Sequence, residues 1–378
     1  MTSTYKRLGD YIRVVDVRNR DLSVTTLLGV SISKEFIPSI ANTIGTDMST
    51  YKIVRKGQFA YGPVTSRNGD KVSIALLANE DTAIISQAYT VFEVKDTNEL
   101  LPKYLMMWFR RPEFDRYARF HSHGSAREIF DWSEMCDVML PIPSIEQQRE
   151  IVAEYETLSK RICLNEQMIS SLEATAQTLY RKMFVDGIDK ENLPEGWRIG
   201  ALGDFVELSQ GIQVEVEDQS LVKHPGYNRF IRIIDYTPNK MEPPRFVNIS
   251  NERYYCSTED VVMIRYGDAG TVCRRLEGII ANNLFKITPI DMLTRNYVYA
   301  FLKSKDIQAW IKGSAASSTM LAITHTSIKE LDCIIPTYEI INEFDNRMNV
   351  IEQSIMLSLK ENEKLTELQS LLLAKMGQ

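Results

Sequence analysis

The chain carries one unit twice, and each copy ends in a long amphipathic segment. Residues 141–183 read PIPSIEQQREIVAEYETLSKRICLNEQMISSLEATAQTLYRKM, and residues 334–376 read IIPTYEIINEFDNRMNVIEQSIMLSLKENEKLTELQSLLLAKM. Pro143 falls on Pro336, Glu146 on Glu339, Leu172 on Leu365, and Lys182-Met183 on Lys375-Met376. Upstream, Leu8-Gly9-Asp10 answers to Leu202-Gly203-Asp204, and Lys103-Tyr104-Leu105 to Asn296-Tyr297-Val298. A tandem duplication of this size implies pseudo-two-fold symmetry. It suits a target that is itself nearly two-fold, and double-stranded DNA is the obvious candidate.

The repeated tails are helices by their period. Spacings of four and three alternate along Ile151, Tyr155, Leu158, Ile162, Asn165, Ile169, Leu172, Ala176, Leu179 and Met183, a coiled-coil seam interrupted by Asn165. Asn165 there sets register at some cost in stability. Ser144 and Gln147 fit a capping box directly after Pro141 and Pro143, and Gly187 is a plausible stop. The second seam is more polar: Phe344, Met348, Ile351, Ile355, Ser358, Asn362, Leu365, Gln369, Leu372 and Met376. Each helix has roughly 40 residues and so about 60 Å of length. Neither stripe can be buried by its own turns, so each is expected to cover the other. Chain direction then makes the pair antiparallel, because domain termini usually lie close together. The expected class is α+β: two duplicated mixed α/β domains separated by two long antiparallel helices forming a coiled coil. The segments are 1–142 (globular), 143–184 (helix), 185–335 (globular) and 336–378 (helix).

Within the globular parts, residues 51–63 and 254–270 alternate like strands and end in Gly-rich turns. Residues 88–95 and 283–290 read as short strands. Residues 103–114 and 296–311 read as helices, each followed by a small-residue loop, HSHGSAR (121–127) and KGSAASSTM (312–320).

Charge alone does not mark a nucleic-acid binder. The net charge is −6, and residues 1–140 carry 18 basic against 17 acidic side chains. Any phosphate-binding charge must be gathered on one face or supplied by partners. The five cysteines form no Cys-x-x-Cys pair, which argues against a disulfide framework or a structural zinc site and for a reducing cytosol. There is no apolar signal core and no apolar run approaching a membrane span, so a soluble, cytoplasmic protein is expected.

No catalytic motif stands out. Glu242-Pro243-Pro244-Arg245 lacks the amide and aromatic of a DNA amino-methyltransferase motif and reads as a proline-rich turn. Asp81, Glu93 and Lys95 match the loose Asp…Glu-x-Lys pattern of metal-dependent nucleases, a pattern permissive enough to arise by chance. His121 and His123 sit in a loop where they could touch phosphate or simply be solvated. The basic residues near glycine turns say more. Tyr61, Arg67 and Lys71 surround the first turn; Arg265, Tyr266, Arg274 and Arg275 surround the second. Arg116, Arg119, Ser125 and Arg127 flank or line the first Gly-Ser loop, and Lys303, Lys305, Lys312 and Ser314 the second. Arginine can make bidentate bonds to guanine, and polar loops can follow a groove. Taken singly, each is an ordinary surface charge; their recurrence at equivalent points in both copies is what favours DNA.

In this order the motifs resemble the DNA-specificity subunit of type I restriction-modification systems. The match is carried by Leu-Gly-Asp at each domain start, the Tyr61-Gly62 and Tyr266-Gly267 turns, the Gly-Ser loops, and above all PIPSIEQQREI (141–151) leading into a long helix. The second copy keeps Pro336 and Glu339 but has Ile340 and Ile341 where the family usually has polar residues. The resemblance implies two target-recognition domains, each reading half of a bipartite, asymmetric DNA site. The helices would be the spacers that dock two methyltransferase subunits, and a restriction/translocase subunit would join for cleavage. This chain would then carry no catalytic residue, cofactor or metal of its own. S-adenosylmethionine, ATP and Mg would belong to its partners. The competing classes are a metal-dependent nuclease using Asp81, Glu93 and Lys95, and a coiled-coil scaffold that binds only proteins.

Overall fold

The computed structural model describes residues 5–39, 45–65, 69, 71–124, 128–237, 242–316 and 322–377, the side chains of 315 and 316 excepted. The chain divides into two compact units, Met1–Leu164 with Glu361–Gln378, and Asn165–Lys360.

The first unit contains β1 (Tyr5–Arg7), β2 (Ile12–Val15), β3 (Leu28–Val30), β4 (Phe36–Pro38), β5 (Lys52–Arg55), β6 (Phe59–Tyr61), β7 (Ile74–Leu76), β8 (Thr82–Ile85), β9 (Thr90–Val94), α1 (Pro102–Arg110), α2 (Pro112–Phe120), α3 (Trp132–Cys136) and β10 (Met139–Pro141). The helix α4 (Ile145–Phe184) begins in this unit and ends in the second. The second unit continues with β11 (Arg198–Ala201), β12 (Val206–Gln210), β13 (Asn228–Ile231), β14 (Arg245–Val247), β15 (Tyr255–Cys256), β16 (Val261–Ile264), β17 (Val272–Cys273), β18 (Gly278–Ile280), β19 (Leu284–Pro289), α5 (Arg295–Lys303), α6 (Lys305–Ala316), α7 (His325–Lys329) and β20 (Asp332–Ile335). The helix α8 (Tyr338–Lys375) starts there and ends in the first unit.

The duplication is explicit in the sheets. One four-stranded sheet has the order β2-β9-β6-β7 and the other β12-β19-β16-β17, with every pairing antiparallel. In each copy the first strand closes against the last, β1 on β10 and β11 on β20. The repeated Leu-Gly-Asp makes a short 3-10 turn with its leucine fully buried. Its glycine is required by close approach. A Cβ on Gly9 would stand 2.8 Å from the Cβ of Cys136 in α3, and one on Gly203 2.7 Å from that of Lys329 in α7.

The long helices follow their seams. Every seam residue of α4 and α8 is buried or half-buried, while flanking positions such as Leu164, Met168, Val350 and Leu357 are exposed. The capping box forms. The Ser144 N–H donates to Gln147 Oε1, and the Gln147 N–H to Ser144 Oγ, both at 3.3 Å. Gly187 sits just past the end of α4 with φ +75°. Within each unit the two helices run antiparallel. In the first, Arg161 forks Glu361 with two bonds of 2.9 Å, and Gln369 donates to Ser159 at 2.7 Å. In the second, Ser358 lies against Met168, and Phe184 packs on Phe344 at 5.1 Å between ring centroids.

The unusual second junction has a packing explanation. Gln148 is fully buried: it accepts from the Leu101 N–H at 2.8 Å and donates to the carbonyls of Glu99 and Pro143. That satisfies the backbone where α1 begins. In the second copy Thr294 caps α5 with its own side chain, so Ile341 can be buried at 1% exposure as an apolar filler.

Two expectations need correction. The helix expected over 103–114 breaks at Arg111, because Pro112 forces the residue before it out of the helical region. The one over 296–311 breaks at Ser304, and the small-residue loop after it is helical through Ala316.

Candidate nucleic-acid interface

In each copy, the turn segment after β6 or β16 is zipped to the stretch that follows the small-residue segment. In the first unit, the segment after β6 and the segment after α2 meet on Ile129, which bridges both Val64 and His123. The Phe130 N–H donates to the Pro63 carbonyl at 2.9 Å, the Thr65 N–H to that of Glu128 at 3.0 Å, and Thr65 Oγ1 to Ser122 Oγ at 3.0 Å. In the second unit, Tyr266 bridges Ala322, and the Ile323 N–H donates to the Arg265 carbonyl at 3.0 Å.

Around the first of these edges, Arg119 is exposed and ion-paired with Glu128, Arg116 pairs with Glu113 at 3.1 Å, and Lys71 is half-buried. His121 and His123 both turn to Glu134, His121 at 2.8 Å. Phe120 projects beside them, 81% exposed. Around the second edge, Arg265 lies 5.0 Å from the Tyr266 ring and donates to Gln210 Oε1 at 3.3 Å. Lys312 is exposed and Ser314 half-buried on α6. Arg67, Ser125 and Arg127 lie outside the described residues.

Three expected contact residues face inward. Tyr61 is fully buried. Its ring packs edge-on to Phe92 and Phe130, its hydroxyl donates to the Phe130 carbonyl at 3.3 Å, and burial pushes the phenol well up. The reason is register. Phe59 lies opposite Phe92 and Val261 opposite Ile287, so the counterpart of Tyr61 is buried Met263, not Tyr266. Tyr266 stands beyond the end of β16 and is 36% exposed. Arg274 and Arg275 follow β17 and turn toward the long helices. Arg274 is ion-paired with Glu352, and Arg275 bonds both Glu352 and Glu173. Burial lowers the pKa of Arg274 to about 10.

Sequence reasoning missed an amide patch beside Arg265. Gln210 reaches the Leu284 carbonyl at 3.2 Å, and exposed Asn282 donates to exposed Gln213 at 2.5 Å. The available signal was Asn282-Asn283 in a turn between strands. Asn and Gln amides match the edge of adenine, and Arg that of guanine.

The nuclease alternative finds no support in side-chain placement. Glu93 is held by Arg13 and by Gln58, whose hydrogen bond is the leading cause of its lowered pKa. Lys95 donates to the carbonyls of Gly9 and Asp10, and Asp81 is solvated beside Lys56. Among the described residues no helix is long and apolar enough to cross a membrane.

Residues 29–174 match the type I restriction modification DNA specificity domain. Over 86% of its length the chain is 20% identical to the specificity subunit of the type I restriction enzyme HindI of Haemophilus influenzae, covering 86% of that protein. Over most of its length the chain is thus similar to type I specificity subunits, and residues 29–174 carry the match to that family's domain. A second relative, the MjaIX specificity subunit of Methanocaldococcus jannaschii, is 20% identical over 73% of this chain and 68% of its own. The crystal structure of the type I S subunit from M. genitalium shares the fold of this chain, with a TM-score of 0.57 at 15% identity, covering 99% of this chain and 96% of that one.

Proposed function

We propose that this chain is a type I specificity subunit that reads a bipartite, asymmetric DNA site, one half with each globular domain, and is itself non-catalytic. Its long helices dock two adenine-methyltransferase subunits, which bring S-adenosylmethionine. A translocating restriction subunit using ATP and Mg joins the same assembly for cleavage. The observation that carries the reading is the pair of zipped loop edges. Each copy gathers its own polar and basic groups there, exposed Arg119 and half-buried Lys71 in one, and half-buried Arg265 with exposed Tyr266, Asn282 and Lys312 in the other. Two such edges of different chemistry suit two different half-sites.

The test is methylation by the chain assembled with methyltransferase subunits, on a panel of single-base variants of the site mapped from genomic adenine methylation. Arg265→Ala with Tyr266→Ala should relax or weaken one half only, by about 1–3 kcal/mol at particular positions. Equal loss in both halves would reject the division of labour. Divalent-metal-dependent cleavage by the isolated chain would replace the reading with the nuclease one.

A further inference from the structure

Each unit has a groove of its own at the equivalent place, and the two are finished differently. In the first, a cavity of about 910 Å³ is bounded by the end of β7, α1 and one face of α4, with Leu76, Met106, Val152, Glu156, Ser159 and Cys163 among its walls. In the second, a cavity of about 640 Å³ lies between the end of β17, the start of α5 and α8, walled by Arg274, Asn296, Asp345, Asn349, Glu352 and Met356. The sheet registers make these places equivalent. Leu76 lies opposite Phe59, and continuing the β16–β17 pairing puts Arg274 opposite Val261. Leu76 and Leu77 therefore stand where the second copy has Arg274 and Arg275.

The second copy places a polar network at this seam. Arg275 grips Glu352 of α8 through Nε and Nη2 at 3.0 and 3.1 Å, and Glu173 of α4 through Nη1 at 2.5 Å. Arg274 lies flat on Tyr299 of α5 at 4.1 Å, pairs with Glu352, and donates to Asn296 Oδ1 at 3.1 Å. The Asn296 amide in turn donates to Asp345 and Asn349 of α8 at 2.9 and 2.8 Å. One two-residue segment thus touches both long helices and α5. Arg275 does so with φ +75°, a left-handed backbone that disfavours any residue but glycine. A strained position retained for a guanidinium points to a role for the guanidinium itself.

We propose that Arg274 and Arg275 are positioning residues that fix the angle at which the second globular domain sits on its own stretch of the helix pair, and thereby which bases its loops reach. Apolar packing tolerates sliding; a forked guanidinium bridging two carboxylates on different helices is satisfied in one geometry. Buried ion networks add little net stability over apolar packing, and a single docking geometry is what this one supplies. The inference rests on the DNA-reading function proposed above.

The experiment has two arms, one of which needs no DNA. Spin labels at Val222→Cys on the domain and Val350→Cys on α8, both exposed positions of the second unit, are placed in a chain with Cys136→Ser and Cys163→Ser. The distance distribution is measured by pulsed electron resonance. Arg275→Gly removes the guanidinium while relieving the backbone, and Glu352→Gln keeps the shape while removing the charge. Both should broaden the distribution; Arg275→Gly, which leaves Glu352 its pairing with Arg274, should do so without lowering the thermal midpoint by more than a few degrees. In the second arm the same variants, assembled with methyltransferase subunits, should lose on the order of tenfold to a hundredfold in discrimination at the half-site of the second domain. The other half should be unchanged, and Arg275→Lys, a point charge that cannot fork, should be intermediate. Unchanged distances, or equal loss in both halves, would overturn the proposal. A wild-type assembly that methylates no DNA would instead reject the function it rests on, leaving the distance arm to judge the clamp.

Discussion

Against the long helices the first unit presents Leu76 and turns Leu77 into its own sheet, whereas the second, at the same two places, presents both Arg274 and Arg275. The sheet behind them has the same strand order in both, so the contrast lies in these side chains and in the left-handed backbone at Arg275. Leu77 is buried at 2% exposure in an apolar cluster with Val54, Ala75 and Ile85. The first unit also buries a charge near its groove, but keeps it local: Lys34 pairs with Asp115 at 2.7 Å, and burial lowers its pKa despite that partner. The comparison teaches that a duplicated fold can hold its architecture while exchanging an apolar seam for an ionic one, because net stability is nearly indifferent to the exchange when every charge is paired.

The largest expected effect breaks that pairing. Arg274→Ala leaves Glu352 short of one partner and empties the space over Tyr299, and should cost about 3–5 kcal/mol in urea denaturation. Arg274→Met, of similar length and apolar, should recover most of it. Leu76→Ala in the first unit, half-buried, should cost about 1–2 kcal/mol. If Arg274→Ala costs no more than Leu76→Ala, the two seams are energetically alike.

A smaller effect sharpens the contrast between helix starts. Ser144→Ala should cost about 1 kcal/mol, because it removes half of a reciprocal cap. Thr337→Ala, at the start of α8, should cost less, since the third helical residue there is Ile340, which returns no bond. Equal losses would show that reciprocity contributes nothing at the first junction.

The smallest concerns acid. Burial pushes the Asp260 carboxyl up, but the Ser257 N–H and hydroxyl and the Arg295 guanidinium outweigh it and hold it below its ordinary value of 3.8. The unfolded chain then binds more protons than the folded one near pH 4. This contribution is complete above about pH 4 and is lost as the pH falls through the depressed value. Asp260→Asn should flatten the acid limb of stability; a limb as steep as that of the wild type would sink the assignment.

What could be read in advance was local. The seams repeat every seven residues, the capping box spans Ser144 to Gln147, and Leu-Gly-Asp recurs whole, so each carries its own signal. What could not be read depends on partners distant in the chain. Equating Tyr61 with Tyr266 failed because strand register is set by β9 and β19, not by the dipeptide Tyr-Gly. Arg274 and Arg275 were expected on the surface because Glu173 and Glu352, 102 and 77 residues from Arg275, leave no trace in its neighbourhood. Tyr266 and Lys312 did reach the surface, one in the turn beyond β16 and one near the end of α6, while Arg265 is half-buried beside the Tyr266 ring and Gln210.

The first unit is assembled from both ends of the chain. Leu373 and Met376 belong to the same apolar core as Leu8, Trp108 and Val152, and the Tyr5 hydroxyl donates to the Gly377 carbonyl at 2.8 Å. Translation runs from one end to the other, and domains tend to fold as units during it. The unit that emerges first from the ribosome is therefore the one completed last. Until α8 has been synthesised, Ile151, Val152 and Tyr155 wait with part of their apolar cover missing. For that interval the half translated earliest exposes apolar surface that the finished protein covers.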